Sequence, residues 1–320
     1  MHRPTTEREA RDVTAAVASR GELIARLRAL GTEVTPDSIA ATQALYAPLH
    51  ARDVPEGIRI ERDLRYGTAD RHRLDVFVPE NAGRDRPVLI FVHGGGFVMG
   101  DKSTPGSPFY DNVGLWAARH GIVGVTMTYR LAPAFRWPSG SDDVAAAVNW
   151  VRENIASYGG DAQRIFVMGQ SAGAVHVGGF VARAHPPGSS GWRPAGAILV
   201  SGMFDTRTME RNVFFEAYFG TDPKAADEAS FLEALAGSPV PLMMVTAELD
   251  GIDFLRQNVR LLEAHLRHRG RFPRLEHLHG HNHLSTVLHL GTDDESLARP
   301  LLEFIADNAG TGEAQVRYEA

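Results

Sequence analysis

The 320-residue chain contains no cysteine. Disulfide bridges, cysteine-ligated zinc and a cysteine nucleophile are therefore all excluded. Long apolar runs are missing too: none approaches the ~20 residues that a membrane-spanning helix needs. Positive charge is not in excess. Lys and Arg number 33 against 39 Asp and Glu, a formal net charge of −6, whereas a nucleic-acid footprint would need a basic domain or stripe. Residues 1–20 are charged and lack an apolar h-region, so no secretory signal is expected there and a cytoplasmic location is the default. What remains, 43% hydrophobic and 22% charged, is globular material able to bury a substantial core.

Periodicity divides the chain. In the first 50 residues, Leu23, Ile24, Leu27 and Leu30 lie at helical spacing, Gly31 reads as a stop, and Pro36-Asp37 opens a second helix ending near Leu49. Residues 58–66 and 73–78 alternate around a turn and read as a hairpin. From Pro87 onward, apolar runs at 88–92, 122–127, 165–168, 197–200 and 242–246 alternate with helical stretches at 109–120, 141–158, 172–184 and 253–269. A strand at 275–279 and a helix at 296–308 close the series. Runs without polar alternation suit strands buried on both faces of a parallel sheet. The expectation is an α/β catalytic domain over 51–310, preceded by a helical cap segment over 1–50 and followed by a frayed tail at 311–320. Residues 203–238 interrupt the rhythm and carry Phe214, Phe215, Tyr218, Phe219 and Phe231. This segment reads as a cap insertion, with a plain crossover bearing extra helix as the alternative.

Gly169-Gln170-Ser171-Ala172-Gly173 directly follows the strand-like run 164–168 and opens a small-residue helix pattern. That context makes Gly-x-Ser-x-Gly informative, because the glycines permit a turn tight enough to expose the serine. A serine hydroxyl needs a base, an acid that orients the base, and donors for an oxyanion. His93-Gly94-Gly95-Gly96-Phe97 follows an earlier buried strand, and its glycines can present free N–H groups which, with the amide of Ala172, would form an oxyanion hole. His93 is expected to hold that loop by hydrogen bonds.

The acid is expected next in chain order, then the histidine. Asp250 ends the strand at 242–249, Glu248 is its rival, and Asp253 suits a helix cap. For the base, His277, His279, His281 and His283 alternate. A metal site is the competing reading of that alternation; it is not favoured, because no matching histidine and carboxylate cluster stands elsewhere at ligand spacing. Gly280 reads as the strand's end, which places His281 and His283 in the loop beyond it. His283 is the chosen base, with His281 in reserve.

Together with Tyr129-Arg130-Leu131-Ala132-Pro133 and Gly159-Gly160-Asp161, these motifs resemble the hormone-sensitive-lipase-like carboxylesterases of the α/β-hydrolase superfamily, over about residues 57–308. The resemblance implies an α/β-hydrolase fold: an eight-stranded, mostly parallel sheet with helices on both faces and a helical cap built partly from the N-terminus. It places the oxyanion amides on Gly95, Gly96 and Ala172 and the acid on Asp250. The chain departs from the pattern at Asp250-Gly251-Ile252, where many members continue Asp-Pro-Leu, and at Gly280-His281-Asn282-His283-Leu284-Ser285. The latter is similar to bacterial carboxylesterases and some arylformamidase-like hydrolases, in which the last histidine is catalytic. The implied activity is hydrolysis of carboxylic esters through an acyl-enzyme, for which no cofactor is needed. The aromatic segment and the N-terminal helices would close a compact apolar pocket, so short-chain acyl or small aryl esters are expected. An arylformamidase-type amidase is the runner-up, although those often show His-Gly-Gly-x-Trp. A non-catalytic ligand receptor is the third reading, against which the retention of Ser171, Asp250 and His283 in order argues. A homodimer is compatible with the residues but not demanded by them.

Overall fold

A computed structural model describes residues 19–51, 53–80 and 83–310. The expected tail at 311–320 and the first 18 residues of the expected cap segment lie outside the described residues.

The apolar runs become strands β1 (Ile58–Arg65), β2 (Arg73–Pro79), β3 (Arg86–Val92), β4 (Val123–Met127), β5 (Gly160–Gln170), β6 (Gly196–Val200), β7 (Leu242–Leu249) and β8 (Arg274–Asn282). They form one eight-stranded sheet in the order β1-β2-β4-β3-β5-β6-β7-β8. The two pairings at the β1 end are antiparallel and all the others parallel. Side chains alternate across each strand. Val88, Ile90 and Val92 of β3 therefore enter one core and Leu89 and Phe91 the other.

Helices α1 (Arg20–Leu30), α2 (Pro36–Tyr46) and α3 (Asp111–Arg119) precede α4 (Ser139–Asn154) and α5 (Ala172–Ala184). Three short helices, α6 (Val213–Phe219), α7 (Pro223–Glu228) and α8 (Leu232–Gly237), occupy the aromatic insertion; α9 (Ile252–Arg269), α10 (Ser285–Leu288) and α11 (Ala298–Ala309) follow. One face of the sheet is covered by α4, α5 and the insertion, the other by α3, α10 and α11 with side chains from α1 and α2. Capping fixes where the N-terminal pair starts. Ser19 and Glu22 form a reciprocal box on α1, and Thr35 with Ser38 does the same on α2, where Pro36 sits at the first turn.

The topology reverses at β3, which pairs with β4 on one side and β5 on the other. Ligands bind at such a reversal, outside the carboxyl ends of parallel strands. One expectation needs correction: Gly280 does not end the last strand. β8 runs on to Asn282, which pairs with Leu249, and Gly280 (φ +77°) sits at the irregularity between them. Glycine adopts this left-handed backbone readily, so the ladder bulges instead of stopping.

Candidate active site

The turn from β5 into α5 is closed by contacts that admit no side chain. A Cβ on Gly173 would lie 2.1 Å from the Val92 carbonyl oxygen, and one on Gly169 would lie 2.3 Å from the Gly173 carbonyl oxygen. Ser171 stands between them at φ 56°, ψ −120°, a conformation costing ~1–3 kcal/mol for a non-glycine residue. Its amide donates to Val200 O (2.9 Å) and its carbonyl accepts from Ala174 N (2.9 Å), so the neighbouring strand and helix hold the strained residue from both sides. Ala172 begins α5, and its N–H therefore has no partner within the helix.

The glycine loop after β3 lies against this elbow. A Cβ on Gly94 would be 3.2 Å from the Ser171 Cβ. Gly95 (φ +120°) and Gly96 (φ +56°) hold backbone conformations that L side chains rarely adopt. Neither of their amides donates to an acceptor among the described residues. The loop is pinned from beneath. Tyr129 Oη donates to the His93 and Gly94 carbonyls at 3.0 and 3.2 Å, and Ala132 N donates to Phe97 O at 3.0 Å. His93 donates through Nδ1 to Gly94 O at 2.6 Å and stacks on Tyr129. Complete burial pushes its pKa down to about 4, so the ring is neutral at pH 7. Arg130 is fixed in turn by Asp143, which accepts from its backbone N–H and its guanidinium.

Asp250 and His283 meet at the ends of β7 and β8. Asp250 Oδ1 lies 2.8 Å from His283 Nδ1, and Oδ2 accepts from Ser201 Oγ and Ala247 N at 2.8 Å each. A buried carboxylate satisfied this way holds one tautomer and one orientation of the imidazole. His283 Nε2 is buried and makes no hydrogen bond among the described residues, and Ser171 Oγ is accordingly not bonded to it. Such contacts often tighten only once a substrate is bound. What does connect the two halves is Gln170, whose Nε2 donates to the His283 carbonyl at 3.0 Å. The Phe254 ring covers the imidazole, with centroids 4.2 Å apart.

The rival residues are engaged elsewhere. Glu248 pairs with Arg28 of α1 and accepts from Gly280 N at 2.7 Å. Asp253 does not cap α9; it accepts from Glu210 N at 3.0 Å and ties down the insertion. His277 bonds Thr246, and His279 is largely exposed. His281, the reserve base, turns to a separate cluster with His289, Asp294 and Ser296. Sequence spacing missed that cluster, because the chain turns back through α10 before His289 and Asp294 arrive.

Other residues that position His283 were also missed. Asn282 Oδ1 accepts from the Leu284 and Ser285 amides, while its Nδ2 donates to Thr42 Oγ1 at 2.8 Å. Thr42 lies on α2, 240 residues away, and no local signal could have announced it. The aromatic segment between β6 and β7 reaches the glycine loop directly, for a Cβ on Gly96 would lie 2.8 Å from the Phe214 ring.

Comparison with known proteins places this arrangement. A sequence profile of the family described by its α/β hydrolase fold matches residues 89–286. The chain is 35% identical over 157 residues to the para-nitrobenzyl esterase of Bacillus subtilis (strain 168), covering 46% of this chain and 30% of the relative. It is 34% identical over 116 residues to a probable isoprenylcysteine alpha-carbonyl methylesterase of Arabidopsis thaliana, covering 36% of this chain and 26% of that protein. The chain thus spans under a third of the length of these curated relatives. Among solved structures it is similar to esterase B from Lactobacillus rhamnosis, with TM-score 0.69 and 20% identity over 89% of this chain and 96% of the other. A thermostable esterase from Pseudomonas putida gives TM-score 0.67 and 20% identity over 92% and 97%. At that identity the structural likeness speaks for the fold.

Proposed function

The chain belongs to the α/β-hydrolase-fold family, and from that premise we propose that it is a serine carboxylesterase acting through an acyl-enzyme. The observation that carries the reading is the Asp250–His283 contact at 2.8 Å, which leaves a buried Nε2 with no partner among the described residues, on a ring tied through Gln170 to the strained serine turn.

In this reading, Ser171 Oγ attacks the acyl carbonyl as His283 Nε2 takes its proton. Asp250 keeps the Nδ1–H tautomer and stabilises the imidazolium. The amides of Gly95, Gly96 and Ala172 receive the oxyanion, and His283 returns the proton to the leaving alcohol. Water then repeats the sequence on the acyl-enzyme. Every proton begins and ends on a group that the chain or the substrate supplies, so no cofactor enters.

Short-chain acyl or small aryl esters suit the surroundings. Phe214 presses on Gly96 and Phe254 covers His283. Met99, Val213 and Ile252, on the segments that carry the site, are exposed apolar residues. The insertion and the N-terminal helices form the cap in this proposal; a Cβ on Gly251 would lie 3.6 Å from the Thr32 carbonyl oxygen in the turn between α1 and α2. Both relatives named above are esterases by name, which supports ester over amide cleavage. No helix among the described residues is long and apolar enough to cross a membrane, and the proposed enzyme is cytoplasmic. A homodimer through an edge strand, β1 or β8, would show in light scattering.

A hydrolysis series of nitrophenyl esters from acetate to palmitate, with N-formylkynurenine alongside and Ser171→Ala as control, tests the proposal. Highest kcat/KM is expected at the short esters, with activity lost in the variant. A maximum at palmitate would overturn the substrate range, and an unaffected variant would overturn the mechanism.

A further inference from the structure

Two residues before His283 in the chain, a second buried group takes shape. His281, at the end of β8, and His289, just after α10, are both buried, and their rings stand 4.4 Å apart. Their Nε2 atoms converge on one hydroxyl: Ser296 Oγ lies 3.0 Å from His281 Nε2 and 3.3 Å from His289 Nε2. Asp294 Oδ2 lies 3.4 Å from the same His281 nitrogen. One donor atom from each of His281, His289 and Asp294 falls within 4.8 Å of the other two.

The opposite side of each ring is held by Ser285. His289 Nδ1 lies 2.7 Å from the Ser285 carbonyl oxygen, which can only accept, so Nδ1 carries the proton and Nε2 presents a bare lone pair. His281 Nδ1 lies 3.1 Å from Ser285 Oγ. That hydroxyl has two available arrangements. It can donate to His281 Nδ1, leaving the proton on Nε2, where Ser296 and Asp294 accept it. Alternatively it can accept from His281 Nδ1–H and donate to Asn282 O at 3.3 Å. The second arrangement bares both Nε2 lone pairs beside the carboxylate, and every Nδ1 hydrogen bond remains made. Imidazoles whose outer N–H is fixed by a carbonyl or hydroxyl while the inner nitrogen faces a shared point with a carboxylate have the second shell of a metal site.

We infer that His281 Nε2, His289 Nε2 and Asp294 Oδ2 form a binding site for one divalent transition-metal ion, with Ser296 Oγ or water as the fourth ligand. Two nitrogens and a carboxylate oxygen suit Zn²⁺. Donors sharing a tetrahedral zinc stand ~3.3 Å apart, a distance that small side-chain rotations supply. No proton need leave the histidines, since His281 only exchanges its Nε2 proton for one on Nδ1. Entry is from the Asp294 side, whose side chain is 18% exposed against 2% for His281; there the exposed Arg20 guanidinium lies 3.6 Å from Asp294 Oδ2 and swings aside when the ion enters. The site does not depend on the esterase reading.

The test is equilibrium dialysis of the tag-free full chain against Zn²⁺, with melting curves in parallel. Expected are one saturable Zn²⁺ per chain and a melting midpoint that climbs with Zn²⁺. In His289→Ala and in Asp294→Asn the affinity should fall more than about tenfold and the climb should vanish. His279→Ala, which alters an exposed histidine outside the cluster, should bind as the parent does. If His289→Ala fails to fold, Asp294→Asn decides alone, because asparagine can still accept the Ser296 amide hydrogen that Asp294 Oδ1 takes at 3.0 Å. No saturable binding by the parent, binding unchanged in Asp294→Asn, or binding lost in His279→Ala would each overturn the inference.

Discussion

The Ser171 side and the His283 side of the proposed site are built by different means. Around Ser171, position is enforced by backbone against backbone: Gly173 under Val92, Gly169 under Gly173, Gly94 against the serine itself. Around His283, position is enforced by side-chain hydrogen bonds from distant parts of the chain: Asp250, Gln170, and Asn282 braced by Thr42. A steric vice tolerates no added atom, whereas a hydrogen-bonded brace can lose a member and keep its shape at reduced precision. The comparison therefore predicts all-or-none behaviour on one side and graded behaviour on the other.

The largest effects fall on the reacting groups. Ser171→Ala and His283→Ala should each lower kcat by on the order of 10⁴ to 10⁶ without unfolding the chain. Asp250→Asn should cost about 10⁴, whereas Glu248→Gln, whose carboxylate meets Arg28, Gly280 and His279 but not His283, should leave kcat within a few-fold. Steady-state kinetics on the purified variants check all four, and equal losses at Asp250 and Glu248 would undo the assignment.

The steric side is sharpened by Gly173→Ala. With no room for the methyl, destabilisation of about 3 kcal/mol or more is expected in urea unfolding. The braced side is sharpened by Thr42→Val and Gln170→Ala. Gln170→Ala removes one hydrogen bond and Thr42→Val two, the one from Asn282 Nδ2 and the one to the Ser38 carbonyl. Each lost bond costs about 1 kcal/mol of stability, and each variant should lose about tenfold in kcat through a misplaced imidazole. A thousandfold loss from Thr42→Val, or none from either, would erase the distinction between the two sides.

An effect of another kind, on stability and not on turnover, is a pH dependence of folding from the two neutral histidines near the glycine loop. Burial lowers His93 to about 4 and His176 to about 3. Between ~6.5 and those values the unfolded chain binds protons that the folded chain refuses, so stability is complete above ~6.5 and falls as pH drops, by about 1.4 kcal/mol per pH unit for each ring. His176→Gln should flatten the slope measured by urea unfolding between pH 4.5 and 6.5; an unchanged slope would show that the ring is protonated in the fold.

What could be read from the sequence follows the same division. Steric demands are local, so glycine spacing announced the turn at 169–173 and the loop at 93–97, and helix α5 falls at the residues its pattern indicated. Parallel strands buried on both faces betrayed themselves as apolar runs. Gly280 misled because one residue type serves both to stop a strand and to bulge it, and only the pairing of Leu249 with Asn282 decides between them. Thr42 and the His289–Asp294 pair left no trace, since their partners are set by tertiary folding and a lone threonine or histidine carries no period. The motif Tyr129-Arg130-Leu131-Ala132-Pro133 was recognisable by resemblance, yet its physical reason, hydrogen bonds to the carbonyls of the glycine loop, emerged only from geometry.

The most direct measurement of the central claim is to expose the intact chain to a fluorophosphonate and map the adduct by mass spectrometry, with His283→Ala in parallel. The account predicts one phosphonyl group, on Ser171, formed much more slowly in the variant. An adduct on another residue, no adduct, or equal rates in parent and variant would contradict it.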